Sequence, residues 1–147
     1  MKPDDLELLG APILNESISY ALEKKIGQAQ VLTGRLGLLP AHQALFILKN
    51  CLSLPKLCYI LRCSECWKFE EKLNEFDEVI RVALQSITNV PMSSDVWEQS
   101  SQPTVLGGLG IQKASDIQKA YISSVASSAD LVSIIVPDSL LNGKLAN

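Results

Sequence analysis

Residues 65–88 read ECWKFEEKLNEFDEVIRVALQSIT, and this stretch decides the fold class. Phe69, Leu73, Phe76, Ile80, Ala83, Leu84 and Ile87 recur at intervals of three and four. An α-helix completes a turn in about 3.6 residues, so these side chains fall on one apolar stripe. Glu70, Glu71, Lys72, Asn74, Glu75 and Glu78 lie mostly off it. A strand alternates every second residue and cannot sort this pattern. The spacing predicts an amphipathic helix from about Glu65 to Thr88, ended by Asn89-Val90-Pro91. Such a helix must bury its stripe against other elements.

Working toward the N-terminus, two short apolar segments each begin near a proline. Pro40 suits the first turn of a helix through Ala41 to about Leu52, and Pro55 the same for one through about Leu61. Both are rich in Leu and Ile, and both are expected to be buried on most sides. Before them, Ile18, Leu22, Ile26, Ala29, Leu32 and Leu36 define another helical stripe. Asn15 or Ser17 is the expected cap, with Glu16 near the positive end of the helix dipole. Leu6 to Leu14 is broken by Gly10 and Pro12 and reads as a bent strand or small hairpin.

Toward the C-terminus, Ser93 or Ser94 is expected to cap a short helix carrying Trp97. Pro103 and Gly107-Gly108-Leu109-Gly110 exclude a helix interior, so 102–111 is expected as an extended loop. A last helix begins at Ser115 or just before it, with Ile117, Ala120, Tyr121, Val125, Ala129 and Val132 expected inward. The fold class is therefore mainly α. It is a helical bundle with one short N-terminal strand or hairpin and a Gly-rich loop before the last helix. Residues 1–14 form the strand or hairpin, 15–136 the helical domain, and 137–147 a loosely held tail.

The 147 residues suit one domain, and a hydrophobic fraction of 47% can build a core without disulfides or a metal. The net charge of −3 is not that of a stand-alone nucleic-acid binder, which advertises a basic face. Any such contact must come from a local patch or a partner domain. Met1-Lys2-Pro3-Asp4-Asp5 is polar and is no secretory leader, and no membrane span is expected. The expected location is intracellular, cytoplasmic or nuclear, where Cys51, Cys58, Cys63 and Cys66 stay reduced.

Several groups could carry chemistry. Two-metal phosphoryl transfer needs convergent carboxylates. Asp4-Asp5 is an adjacent pair, but its polar surroundings read as a solvated end. Cys63-x-x-Cys66 is half of a zinc pattern. Cys51 and Cys58 lie seven apart on apolar segments, where cysteine is an ordinary small core residue. No metal or cofactor is expected. His42, the single histidine, stands in a helical first turn with no recognisable triad partner, which favours capping or packing. The glycine loop lacks the Gly-Lys-Ser/Thr of a P-loop and the βαβ setting of a dinucleotide site; a tight turn is expected. Lys49, Lys56 and Arg62 cluster loosely in the central helices and are the candidates for phosphate contact; solvated faces are the plainer reading.

These stretches, taken in order, resemble the region after the palm of non-LTR-type retroelement reverse transcriptases. Leu8-Leu9-Gly10-Ala11-Pro12-Ile13 resembles the strand that follows the catalytic palm. The stretches Leu39-Pro40-Ala41-His42 and Leu54-Pro55-Lys56-Leu57-Cys58-Tyr59 resemble thumb helices. Phe76-Asp77 and Arg81 match the long helix after them. Trp97, Pro103, Gly107, Gly108 and Gly110 resemble a post-thumb signature. The likeness spans about residues 6–128. Glu65 departs from it where proline is common, and Gln112 where a basic residue is common.

In such polymerases the thumb packs on the palm and holds the template–primer duplex, and the catalytic aspartates lie upstream of the first matched strand. The resemblance therefore implies a non-catalytic thumb region that positions nucleic acid, an RNA–DNA hybrid or DNA duplex, within a full polymerase. An upstream palm domain is the implied partner. Two other readings stay open: a helical protein-interaction module, or a decayed retroelement remnant with no activity of its own.

Overall fold

The computed structural model describes residues 7–135, with side chains described from Leu9 to Asp130. Asp4-Asp5, the 137–147 tail and the side chain of Val132 lie outside the described residues. The chain is mainly helical, as the periodicities predict. A hairpin, β1 (Glu7–Leu8) and β2 (Ala11–Pro12), leads into α1 (Asn15–Leu36), α2 (Ala41–Ile47) and α3 (Leu54–Cys63). Then come α4 (Glu70–Thr88), α5 (Ser94–Ser101) and α6 (Ala114–Ile135).

The hairpin is antiparallel, with Leu8 opposite Ala11. Its two-residue turn places Leu9 at φ 53° and Gly10 at φ 80°. That is the primed turn whose twist matches a hairpin. Glycine enters this region freely, whereas Leu9 is strained there. Two hydrogen bonds from α3 and its end hold the hairpin down. Tyr59 Oη donates to the Leu9 carbonyl at 2.6 Å, and Ser64 Oγ to the Pro12 carbonyl at 2.8 Å.

α1 and α4 form the centre of the bundle. Ile18, Leu22, Ile26, Ala29 and Leu36 of α1 are buried with Leu73, Phe76, Ile80, Ala83 and Leu84 of α4. Lys72 joins the two helices, its Nζ 2.8 Å from Glu23 Oε1. Neither expected cap on α1 acts. The helix begins at Asn15, and Leu14 is the capping residue with no side-chain acceptor. Ser17 is buried instead. The helix expected from Glu65 starts as a 3₁₀ turn, Cys66–Phe69, and becomes α-helical at Glu70. Cys66 is buried under that turn. Asn89 ends α4 with a left-handed φ of 55°. Arg81 then donates from Nε to the Met92 carbonyl at 2.9 Å, and Gln85 Oε1 accepts from the Met92 N–H at 3.2 Å.

The two central segments form one helical run with a defect. A π-helical turn, Leu48–Leu52, joins α2 to Ser53 and α3. Pro55 has no N–H, so the regular ladder cannot continue through it. The Ser53 N–H reaches back to the Leu48 carbonyl at 2.9 Å, and Ser53 Oγ donates to the Lys49 carbonyl at 2.9 Å. Pro40 precedes α2 as its capping residue, whereas Pro55 lies inside the first turn of α3. The expected burial on most sides is not found. Leu48, Leu52, Leu57, Ile60 and Leu61 face the core, while Phe46 and Tyr59 are exposed. Length and composition alone would let 41–63 cross a membrane, yet 39% of its most apolar window is buried inside the bundle.

Residues 102–111 are a folded turn rather than an extended loop. Pro103 leads a 3₁₀ turn, Thr104–Leu106, closed by Gly107 at φ 82°. Ser93 Oγ caps α5, accepting from the Val96 N–H. α6 starts at Ala114, and its first turns pack on α3 and α4. Ile117 and Tyr121 are partly buried there, but Ala120, Val125 and Ala129 are exposed. The sequence continues its apolar spacing past the point where any described element faces the helix. Gln118 is buried beside Leu73, and neither of its amide atoms has a partner among the described residues.

Asp77 fixes where α6 begins. Its Oδ1 accepts from the Ala114 N–H at 2.7 Å; Oδ2 accepts from the Ser115 N–H at 3.1 Å and the Ser115 hydroxyl at 2.7 Å. The carboxylate thus caps a helix 37 positions away. Burial pushes the Asp77 carboxyl above its ordinary value, and the Ser115 and Ala114 bonds pull against that shift. Replacing Asp77 with Ala should cost about 2 kcal/mol in urea unfolding, because buried amide donors lose their acceptor. The folded chain holds this proton more tightly than the unfolded chain. Stability linked to Asp77 is therefore greatest below the ordinary carboxylate value and declines as pH rises through the raised one. In the Asp77→Asn variant that component of the pH dependence should vanish.

Candidate nucleic-acid interface

The charge of this chain is segregated along its length. All 16 acidic residues lie outside 24–64, a stretch that contains Lys24, Lys25, Arg35, Lys49, Lys56 and Arg62. None of these six cations is ion-paired among the described residues. Lys68, Lys72, Arg81, Lys113 and Lys119 all are. The net charge of −3 conceals this division. Taken singly the cations are scattered along the sequence; the signal that unites them is the absence of acids between them.

A groove of about 530 Å³ opens where the π turn meets α3, lined by Lys49, Asn50, Ser53, Cys58, Gly110 and Gln112 among others. No acidic side chain lines it. Lys49 lies across Gly110: a Cβ there would sit 3.0 Å from its Nζ. Gly110 adopts φ 69°, so it also meets a left-handed backbone requirement. Gln112 contributes a neutral amide at the position where the family resemblance favours a base.

Arg62 stands one turn beyond Cys58 on the same face of α3. Its Nε donates to Tyr121 Oη at 3.1 Å, and Cys58 Sγ lies 3.6 Å from the same hydroxyl. The Tyr121 hydrogen bond, with smaller effects from Cys58, holds the Arg62 guanidinium above its ordinary value. Spacing marks Tyr121 only as a core residue. Its role in aiming Arg62 is not legible across 59 positions. Neither Arg62 nor Lys56 is in the groove lining; helical geometry puts Lys56 about 120° round α3 from Arg62. Lys49 thus lines the groove, Arg62 stands one turn beyond its Cys58 wall, and Lys56 extends the charge to another side of α3. His42 is exposed in the first turn of α2, apart from all three.

The other positions carried by the resemblance have structural work. Gly10 makes the hairpin turn, buried Pro12 accepts from Ser64, and Tyr59 anchors the hairpin to α3. Pro40 and Pro55 start helices. Asp77 and Arg81 hold the α6 start and the turn after α4. Trp97 is part-buried against the core, with Lys113 Nζ 5.7 Å from its ring centroid. Lys113 also pairs with Glu98. Pro103, Gly107 and Gly108 fold the loop back onto the end of α5.

Gly108 meets the tightest constraint. A Cβ there would overlap the Gln102 carbonyl oxygen and lie 2.6 Å from that of Gln99. Both neighbours are backbone and cannot rotate away. Gly108→Ala should lower stability by about 3 kcal/mol, read as a lower melting temperature. Gly107→Ala meets open space and only a positive φ, so its effect should be nearer 1 kcal/mol.

Among the described residues no three His, Cys, Asp or Glu side chains come together as a metal site. Cys51 and Cys63 are exposed, Cys58 is half-buried and Cys66 is buried. Burial pushes the Cys66 thiol up to about 12, and its Sγ donates weakly to the Ile60 carbonyl at 3.5 Å. Only thiolates alkylate readily. At pH 8, iodoacetamide should modify Cys51 and Cys63 in the folded chain and leave Cys66 unmodified until the chain unfolds, as followed by peptide mass spectrometry.

No family model, curated protein or solved structure matches this chain.

Proposed function

We propose that this chain is a thumb-like, non-catalytic region that positions duplex nucleic acid, as the resemblance to retroelement reverse transcriptases implies. The observation that supports it most is the acid-free stretch 24–64 with its unpaired cations, of which Lys49 lines the α3 groove. Phosphate backbones are bound by clustered Lys and Arg whose charge is not already neutralised, and counterion release drives the binding. Lys49 and Arg62 are the central contacts in this reading. Arg62 can present several N–H donors to phosphate while Tyr121 holds one. Lys56, Lys24, Lys25 and Arg35 add longer-range attraction. Binding would be backbone-directed, since no described loop offers an obvious base-reading element.

A second reading has its own support. The side chains of α6 from Ile122 to Asp130 are all exposed, including Val125 at 59%. A half-covered helix of this kind suits a protein-interaction module.

The deciding experiment is a salt titration with an RNA–DNA hybrid. Binding should weaken steeply with salt. Lys49→Ala combined with Arg62→Ala should reduce the log–log slope by about 1.8, which is about 0.9 for each phosphate that is no longer neutralised. Gln112→Lys should steepen it by about 0.9. Absence of binding even near 50 mM salt, where phosphate neutralisation is strong, would sink the proposal and favour the second reading.

A further inference from the structure

A second groove has the opposite chemistry. It runs between α1 and α4, has a volume of about 540 Å³, and no basic side chain lines it. Its α4 wall comprises Glu75, Glu78, Val79, Val82, Ala83 and Ser86. These positions follow the three- and four-residue spacing of one helical face over about 16 Å. Gln30, Thr33 and Gly34 of α1, with Gly37 just after its end, form the other wall and carry no charge. Val82 is 58% exposed in it, so this side chain is uncovered by any described element, while Val79 is half-buried and Ala83 buried beneath it.

Shape and charge together select an occupant. A furrow three helical turns long, between two helices, fits the side of a third helix. The rim is acidic, and the outer face of α4 continues that charge through exposed Glu70 and Glu71. Glu75 and Glu78 have intramolecular partners, Lys72 at 3.6 Å and Arg81 at 3.5 Å. Both are surface pairs one turn apart, a kind that solvent weakens and a closer cation can displace. Gly34 adds an independent point. A glycine inside a helix is unfavourable, and beyond its own chain neighbours and helix backbone no described atom lies within 4 Å of the place its Cβ would take. Close packing against other described elements therefore does not require a glycine there, as it does not at Gly27. We propose that the α1–α4 groove docks a cationic amphipathic helix of a partner protein, its apolar face on Val82 and the half-buried Val79 and its basic residues at Glu75 and Glu78.

The test uses the full chain and two synthetic amphipathic peptides of about 18 residues, long enough to span the groove. They share one Leu/Ala face and carry Lys or Glu on the other. The Lys peptide should bind saturably in fluorescence anisotropy, at least tenfold tighter than the Glu peptide. Gly34→Leu fills the groove without altering charge. It should weaken the Lys peptide at least tenfold, while the melting temperature holds or rises. Glu75→Lys with Glu78→Lys should reverse the preference between peptides. Equal binding of both peptides, no binding of either, or an affinity indifferent to Gly34→Leu would each overturn the proposal. Hybrid binding at the α3 groove should be unchanged by Gly34→Leu, so the two surfaces can fail separately.

Discussion

The Asp77 carboxylate is the constraint on which the second half of the molecule depends. It is buried in the core helix α4, yet it accepts from two amides and a hydroxyl at the start of α6. A buried carboxylate without partners would be costly, and free amides at a helix start need acceptors. Each requirement is met by the other, so α6 has one place to begin. From that start the helix repeat carries Ala114, Gln118 and Tyr121 down one face. That face meets the bundle, and Tyr121 arrives against Cys58 and Arg62 of α3. A capping interaction in the core thereby sets the aim of a surface guanidinium.

The glycine turn extends the same logic to Lys49. Gly108 presses on the end of α5 so closely that no side chain fits, and the Ser100 carbonyl accepts from both Leu109 and Ile111. The turn is thus pinned to α5 before it reaches α6. Gly110, two residues on, lies under the Lys49 side chain. The glycines that resemble a phosphate cradle in sequence act instead by removing bulk. They bring backbone close to α5 and leave room for a lysine from a segment some 60 positions earlier.

Legibility in the sequence followed the kind of force involved. The stripes of α1 and α4 were readable because an amphipathic helix writes its buried face into spacing. Helix starts were less readable: Asn15 and Ser17 both have capping chemistry, but the chain turns helical before either can act. α6 shows the limit of periodicity, since Val125 keeps the spacing of a core residue and remains exposed. Spacing records a preference for burial, and only the neighbouring elements decide whether it is met. The α3 groove was half legible. Lys49 and Arg62 stand out by charge, but Lys56, equally charged, turns to another face. Tyr121 and Gly110 join the site through contacts that no local pattern encodes. Long-range contacts also explain why Asp77 could be noted in the sequence without its partners.

Residues 41–63 show why composition alone misleads in this chain. The run is apolar enough for a membrane span by length, and it also holds the proposed phosphate contacts. The two properties are compatible because the run is sided. Leu48, Leu52, Leu57, Ile60 and Leu61 fill the core, so part of its high hydropathy is directed inside the bundle, while Phe46 and Tyr59 stay exposed. Outside that core-facing stripe it carries Lys49, Lys56 and Arg62 on more than one face, with no acid in the run to neutralise them. Five acidic residues lie instead on α4, outside the run that carries these cations. In the proposed reading, a chain with a net charge of −3 would offer a phosphate backbone a local cationic face, and the acidic residues of α4 would repel the same backbone. The overall negative charge would work as an orientation device, favouring approach from the α3 side and disfavouring the rest.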